Sequence, residues 1–178
     1  MRALAILVFL ARAWAPAQAT TLQQLTLGEM VEKSTSIVRA KVTASDTVLR
    51  GSDVYTVYRF ETLEVVKGHN GLSPTEVAVP GGVAGGVRQV VAGAPVLLAD
   101  REYVLFLWTG RSGLTQLMGM SQGLLAVERT TAGVILTTRA AAGEQMLDSA
   151  GHAIRDEALS MPWAELKARV MAIPAGSK

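Results

Sequence analysis

The sequence predicts a mainly β domain, a small barrel or a β meander, with a short helix near its start and an amphipathic helix near its end. Three observations predict it. Apolar residues alternate with a period of two through much of residues 36–138. Glycines, 17 in the chain, cut that region into short segments. Helical spacing is confined to the segments that follow Thr26 and Ser160.

The first 19 residues carry the features of a cleavable secretory signal peptide. Arg2 supplies a positive start, an apolar run (ALAILVFLA) follows, and Arg12 ends it. Ala17-Gln18-Ala19 is a small-x-small cleavage pattern that leaves Thr20 as the new amino terminus, and Ala15-Pro16-Ala17 is the second choice. The run falls far short of the roughly 20 residues a spanning helix needs, so no stable membrane span is expected. With no cysteine, a lipoprotein anchor and disulfides are excluded. The expected setting is a bacterial periplasm or the extracellular medium.

Residues 20–178 then read as one domain, a length that buries enough surface to fold without staples. Thr26-Leu27-Gly28-Glu29 is a capping box, and Leu27, Met30 and Val31 share the face of a helix of one to two turns. Val38, Ala40, Val42 and Ala44 alternate with Arg39, Lys41 and Thr43, a half-buried strand. Residues 46–53 read as a turn. Residues 54–67 (VYTVYRFETLEVVK) form a long strand whose phase slips between Tyr58 and Thr62, which predicts a bulge or bend. A loop through His69, a short strand over 76–79 and a flexible glycine-rich connection over 80–86 follow, then a strand over 87–91. Segment 102–109 (EYVLFLWT) is the most apolar strand and is expected to be buried on both faces. Strands over 114–118, 124–128 and 134–138 complete the meander. Ser160 is placed to cap a helix over 161–172 with Pro162 in its first turn, and Trp163, Leu166 and Val170 form its buried stripe.

The chain carries 17 Lys+Arg against 15 Asp+Glu, and removal of Arg2 and Arg12 with the leader leaves fifteen of each. A neutral mature chain lacks the clustered positive charge that a nucleic-acid partner requires. The two histidines, His69 and His152, stand far apart with no metal-ligand spacing, so no metal is expected. The glycine-rich loop lacks the Lys-Ser/Thr of a phosphate-binding loop, and no cofactor is expected.

Gly119-Met120-Ser121-Gln122-Gly123 matches the G-x-S-x-G nucleophile elbow, and Asp148 and His152 follow in the order of the α/β-hydrolases. In that reading His152 takes the proton of Ser121, and Asp148 orients the imidazole. An elbow needs a strand before the serine and a helix after it, whereas residues 124–138 read as a further hairpin. The favoured reading is a β turn ended by Gly119 and Gly123.

The order of features from Ser34 to Trp108 resembles the netrin-like module of the tissue inhibitors of metalloproteinases. The similar elements are a helix followed by Ser36-Ile37-Val38-Arg39-Ala40-Lys41-Val42, then Tyr58-Arg59-Phe60 running into Glu64-Val65-Val66-Lys67-Gly68. The late strand Arg101-Glu102-Tyr103-Val104-Leu105-Phe106-Leu107 completes the match. The resemblance covers less than half the chain. It implies an OB-like, five-stranded Greek-key barrel with attached helices and a protein-binding or protease-inhibiting role. In that family the mature terminus is a cysteine, held by a disulfide, whose amine and carbonyl chelate the target's zinc. Thr20 stands in its place here, and Thr21 follows.

The first functional expectation is therefore a secreted, non-enzymatic protein-binding module whose partner is another secreted protein such as a protease. Candidate contact residues are Thr20, Thr21, Gly81, Gly82, Gly85 and Gly86. The alternatives are a small secreted serine hydrolase using Ser121 and a structural component of the cell envelope.

Overall fold

The computed structural model describes residues 21–68, 73–141 and 145–174. In chain order its elements are β1 (Thr21–Gln23), α1 (Leu27–Lys33), β2 (Ser36–Arg50), β3 (Asp53–Lys67), β4 (Glu76–Pro80), β5 (Gly82–Ala84), β6 (Val87–Gln89), β7 (Glu102–Thr109) and β8 (Thr115–Leu117). A 3-10 turn (Met120–Gly123) leads to β9 (Leu124–Arg129), β10 (Ile135–Arg139), β11 (Gln145–Leu147), β12 (Ala153–Ile154), β13 (Leu159–Pro162) and α2 (Trp163–Ala172). The fold is mainly β with few helices, as the periodicity predicts.

Helix α1 begins at the capping box: the Thr26 hydroxyl accepts the Glu29 amide at 3.2 Å, and the Glu29 carboxylate accepts the Thr26 amide at 2.9 Å. Strand β2 continues through Asp46, so the turn expected over 46–53 shrinks to Gly51-Ser52. The extension survives because it pairs with β3 as far as Arg50 and Asp53, and the β5–β6 hairpin lies on it. The β2–β3 register shifts three times, leaving Thr43, Leu63 and Val66 as the extra residues. The extra residues of β3 itself, Leu63 and Val66, fall just beyond the Tyr58–Thr62 segment where the bulge is expected, and Thr43 bulges on β2 opposite Arg59 and Phe60.

The main sheet has the order β13-β10-β9-β7-β2-β3-β4, with β8 also on β7. All its pairs are antiparallel, so β4 and β8 run in the same direction. The sheet curls until β8 packs beside β4, yet among the described residues no ladder joins them. The closed barrel, one of the two expected forms, is therefore not realised. One edge of β7 serves two strands end to end: β8 on Leu107–Thr109 and β9 on Tyr103–Leu105.

Strand β7 is buried on both faces, and its alternation divides the core in two. Tyr103, Leu105 and Leu107 join Val38, Val42, Phe60, Val79 and Leu117 inside the curl. Val104 and Phe106 join Met30, Val31, Trp163, Leu166 and Val170 beneath the two helices.

Three further expectations are corrected. Ser160 does not cap α2: residues 159–162 are a strand on β10, because Thr137 Oγ1 and the ladder capture them, and the helix starts at Trp163 with Pro162 as its cap. The connection over 80–86 is an ordered hairpin. Gly85 and Gly86, with φ of 57° and 76°, make its two-residue turn. A second, three-stranded sheet joins β1 at the start of the described chain to β11 and β12 near its end, and periodicity does not reveal it because its strands have two or three residues each.

Candidate functional site

Helix α1 is seven residues long, about two turns or roughly 10.5 Å. It covers Phe106 but ends at Lys33, before Trp108. Trp108 points to the same side as Phe106, two residues on, and is left 44% exposed. Beside it opens a groove of about 1060 Å³, which follows the unclosed line between β4 and β8. Its walls are Ala78, Val79 and Pro80 on one side and Gln116, Leu117 and Met118 on the other, with Met120 and Pro95 along it. One end is polar, formed by Glu32, Lys33, Ser34, Thr35 and Lys67.

Lys67 is committed to the helix end: its ammonium donates to the Val31 carbonyl at 2.6 Å and the Glu32 carbonyl at 3.3 Å. These are carbonyls of the last turn, which lack helical partners. Burial lowers the Lys67 pKa, and the nearby Glu32 carboxylate opposes the shift. Thr35 ties the start of β2 to the end of β7 through its hydroxyl, which donates to the Leu107 carbonyl at 3.2 Å and accepts the Thr109 amide at 2.9 Å. The groove therefore has a fixed polar end and an apolar, open length.

The G-x-S-x-G segment is the break between β8 and β9. Gly123 lies where a Cβ would stand 2.4 Å from the Met118 carbonyl oxygen and 3.1 Å from that of Phe106. Gln122 is buried and acts as a clasp: its carbonyl oxygen accepts the Leu25 amide at 2.8 Å and its amide donates to the Gln23 carbonyl at 3.0 Å. The Ser121 hydroxyl is buried without a hydrogen-bond partner. Asp148 and His152 do meet, in the β11–β12 turn, where Nδ1 lies 3.2 Å from Oδ2. Asp148 Oδ1 accepts the backbone amides of Ala150 and His152, and these hydrogen bonds hold its carboxyl below the usual carboxylate range. The pair does not bond to Ser121, and the strand–turn–strand setting lacks the helix that an elbow requires.

Thr20 and His69 lie outside the described residues. Thr21 starts β1, which pairs in parallel with β11, and Gln24 continues the attachment by donating its backbone N–H to the Leu147 carbonyl. Gly81 and Gly82 follow the groove residue Pro80 and enter the β5–β6 hairpin. That hairpin is pinned by Thr47 Oγ1 to the Val83 carbonyl and by Thr56 Oγ1 to the Gly81 carbonyl. Gly85 and Gly86 sit at its tip, beside the exposed Val83 and Val87.

Sequence reasoning missed the groove because its lining comes from six separated segments. The visible signal was the period of β7, which puts Trp108 on the helix-covered face, combined with the shortness of α1. No protein-family model matches this chain, and no curated protein matches it. Among the described residues, no cluster of three or more metal-binding side chains occurs and no helix is long and apolar enough to cross a membrane.

Proposed function

We propose that this chain is an exported, non-enzymatic binding module, and that its groove beside Trp108 takes an apolar segment of another exported protein. The observation that carries this reading is the groove itself. It is open along its length, just above the roughly 300–1,000 Å³ range of small-molecule pockets, and has Trp108, Met118 and Met120 along it. Tryptophan and methionine are enriched where proteins meet, and methionine adapts to different apolar partners.

The strand order supports the netrin-like reading of the fold. Taking β2, β3, β4, β7 and β8 as strands one to five, the order is three-two-one-four-five, that of a partly open OB-type sheet. The amino-terminal segment is tied down without a disulfide, by β1 on β11 and by the Gln122 clasp. A target of the protease class remains the proposed partner on this resemblance.

The test is a photo-crosslinking amino acid at Gln116, in the groove, and at Val134, in the β9–β10 turn at the other end of β7, each in the producing cell. The expected result is a discrete adduct from Gln116 alone, mapping to an apolar segment of an exported protein. Equal labelling from both positions, or none, overturns the proposal.

A further inference from the structure

The polar end of the groove holds donors that lack an acceptor. Ser34 lines it and is 3% exposed, and its hydroxyl is buried without a hydrogen-bond partner. A buried hydroxyl left unpaired carries a desolvation cost that an arriving acceptor relieves. Lys67 lines the same end. It gives two of its three N–H donors to the Val31 and Glu32 carbonyls, and among the described residues no acceptor takes the third. By covering those carbonyls it also masks the negative end of α1, which would repel an anion. The charged side chains along the groove are Lys33, Lys67 and Glu32, all at this end, two cations against one acid.

The walls are strand edges. In the β3–β4 ladder the Phe60 amide donates to the Thr75 carbonyl, and the Gly81 amide donates to the Val54 carbonyl. Residues 77 and 79 therefore bond towards β3, and by alternation the N–H and C=O of Ala78 and the C=O of Pro80 face away from it. On β8 the Gly110 amide donates to the Leu114 carbonyl and the Met118 amide to the Phe106 carbonyl. Gln116 thus bonds towards β7, and the N–H and C=O of Leu117 face away. Ala78, Pro80 and Leu117 all line the groove, and no strand among the described residues pairs with either edge. A peptide backbone matches such groups, and an acyl chain does not.

We infer that the segment taken by the groove is the partner's carboxyl terminus: an extended apolar tail lies along the edges of β4 and β8, and its terminal carboxylate is held by the Ser34 hydroxyl and the Lys67 ammonium. This deepens the binding function proposed above and rests on it. The positive sign of the polar end selects a carboxyl over an amino terminus. The confinement of charge to one end selects a chain that is apolar up to its terminus over one charged midway. The Ser34 hydroxyl gives up no hydrogen bond in turning about χ1 to meet the carboxylate.

The test starts from the exported protein with the crosslinker at Gln116. The expected adduct maps to the final residues of an exported protein. That tail is then synthesised as the free acid and as the carboxyl-terminal amide, and the binding of each to the purified mature chain is measured. The acid is expected to bind roughly tenfold tighter or more, because the amide loses the charge-assisted hydrogen bonds. Ser34→Ala is expected to leave the melting temperature within a few degrees and to cut the acid's advantage several-fold. Lys67→Met is expected to abolish that advantage. Lys67 also fastens α1, so the readout is the ratio of acid to amide affinity, which a loosened fold would leave alone by weakening both forms alike. An amide that binds as tightly as the acid, or an advantage that survives both substitutions, overturns the inference. An adduct on an internal segment of any protein, a second copy of this chain included, also overturns it and leaves the binding function standing. A lipid adduct alone, or no adduct, overturns the binding reading itself.

Discussion

Gly123 has no room for a methyl group, because a Cβ would strike the backbone oxygen and nitrogen of Met118 and the carbonyl oxygen of Phe106, and the Met118 amide donates to that Phe106 carbonyl to join the end of β8 to β7. Gly123→Ala is expected to destabilise the fold by about 1–3 kcal/mol or more, measured by denaturant unfolding. Ser121 behaves oppositely. Its hydroxyl is buried and unpartnered, so Ser121→Ala removes a desolvation cost and is expected to leave stability unchanged or slightly raised. Loss of an aryl-esterase activity in that variant would instead reinstate the hydrolase. Gln122→Ala leaves the Leu25 amide and the Gln23 carbonyl without their partner and is expected to cost about 1–3 kcal/mol. Proteolysis near the amino terminus should rise with it, since the clasp holds that segment.

At the scale of elements, α2 is fastened at one carboxylate. Glu64 Oε1 accepts Lys167 Nζ at 2.8 Å, and Oε2 accepts Trp163 Nε1 at 2.9 Å. The Lys167 hydrogen bond chiefly holds the Glu64 pKa below its usual range, with help from Trp163 and Arg39 and against the opposing effect of burial. A carboxylate whose folded pKa is depressed contributes stability above its unfolded value and loses it as pH falls through the folded one. Thermal melts should therefore weaken in acid below the ordinary carboxylate range, and Glu64→Gln should flatten that part of the profile while lowering stability at neutral pH. An unaltered acid profile in Glu64→Gln would show that Glu64 is not the fastening. Trp163 is buried among Leu166, Val170 and the α1 residues, so Trp163→Ala is expected to cost about 3–5 kcal/mol.

Across the whole molecule, β7 is the shared wall of two cores. Leu105 faces the interior of the curled sheet and Phe106 faces the helices, and both are fully buried. Leu105→Ala is expected to cost about 2–5 kcal/mol and Phe106→Ala about 3–5 kcal/mol. A domain of this kind is stable by only about 5–15 kcal/mol, so the double variant should be largely unfolded at room temperature by circular dichroism. The strand pairings join distant parts of the chain, as in Ser36 with Leu107, and such topology folds slowly. The groove is a property of this same scale: it exists because the sheet curls without closing and α1 stops short of Trp108.

What the sequence determined by itself was local and periodic. Alternation placed β2, β3 and β7, the capping box placed α1, and the Trp163, Leu166 and Val170 stripe placed the buried face of α2, because each signal depends on residues within a few positions. The apolar character of residues 102–109 also foretold burial on both faces of β7. Tertiary structure alone decided where β2 ends, that residues 159–162 join β10, and that the glycine-rich connection is a pinned hairpin. In each case a free strand edge, or a side chain far away in sequence, supplies the missing hydrogen bonds. It also decided the sense of the pentapeptide around Ser121. Gly123 there answers to backbone atoms of Met118 and Phe106, Gly119 to a left-handed backbone beside Leu25, and Gln122 to the segment Gln23–Leu25. Steric exclusion and pairing between distant strands leave no period in a sequence, so the groove became visible only when the strands came together.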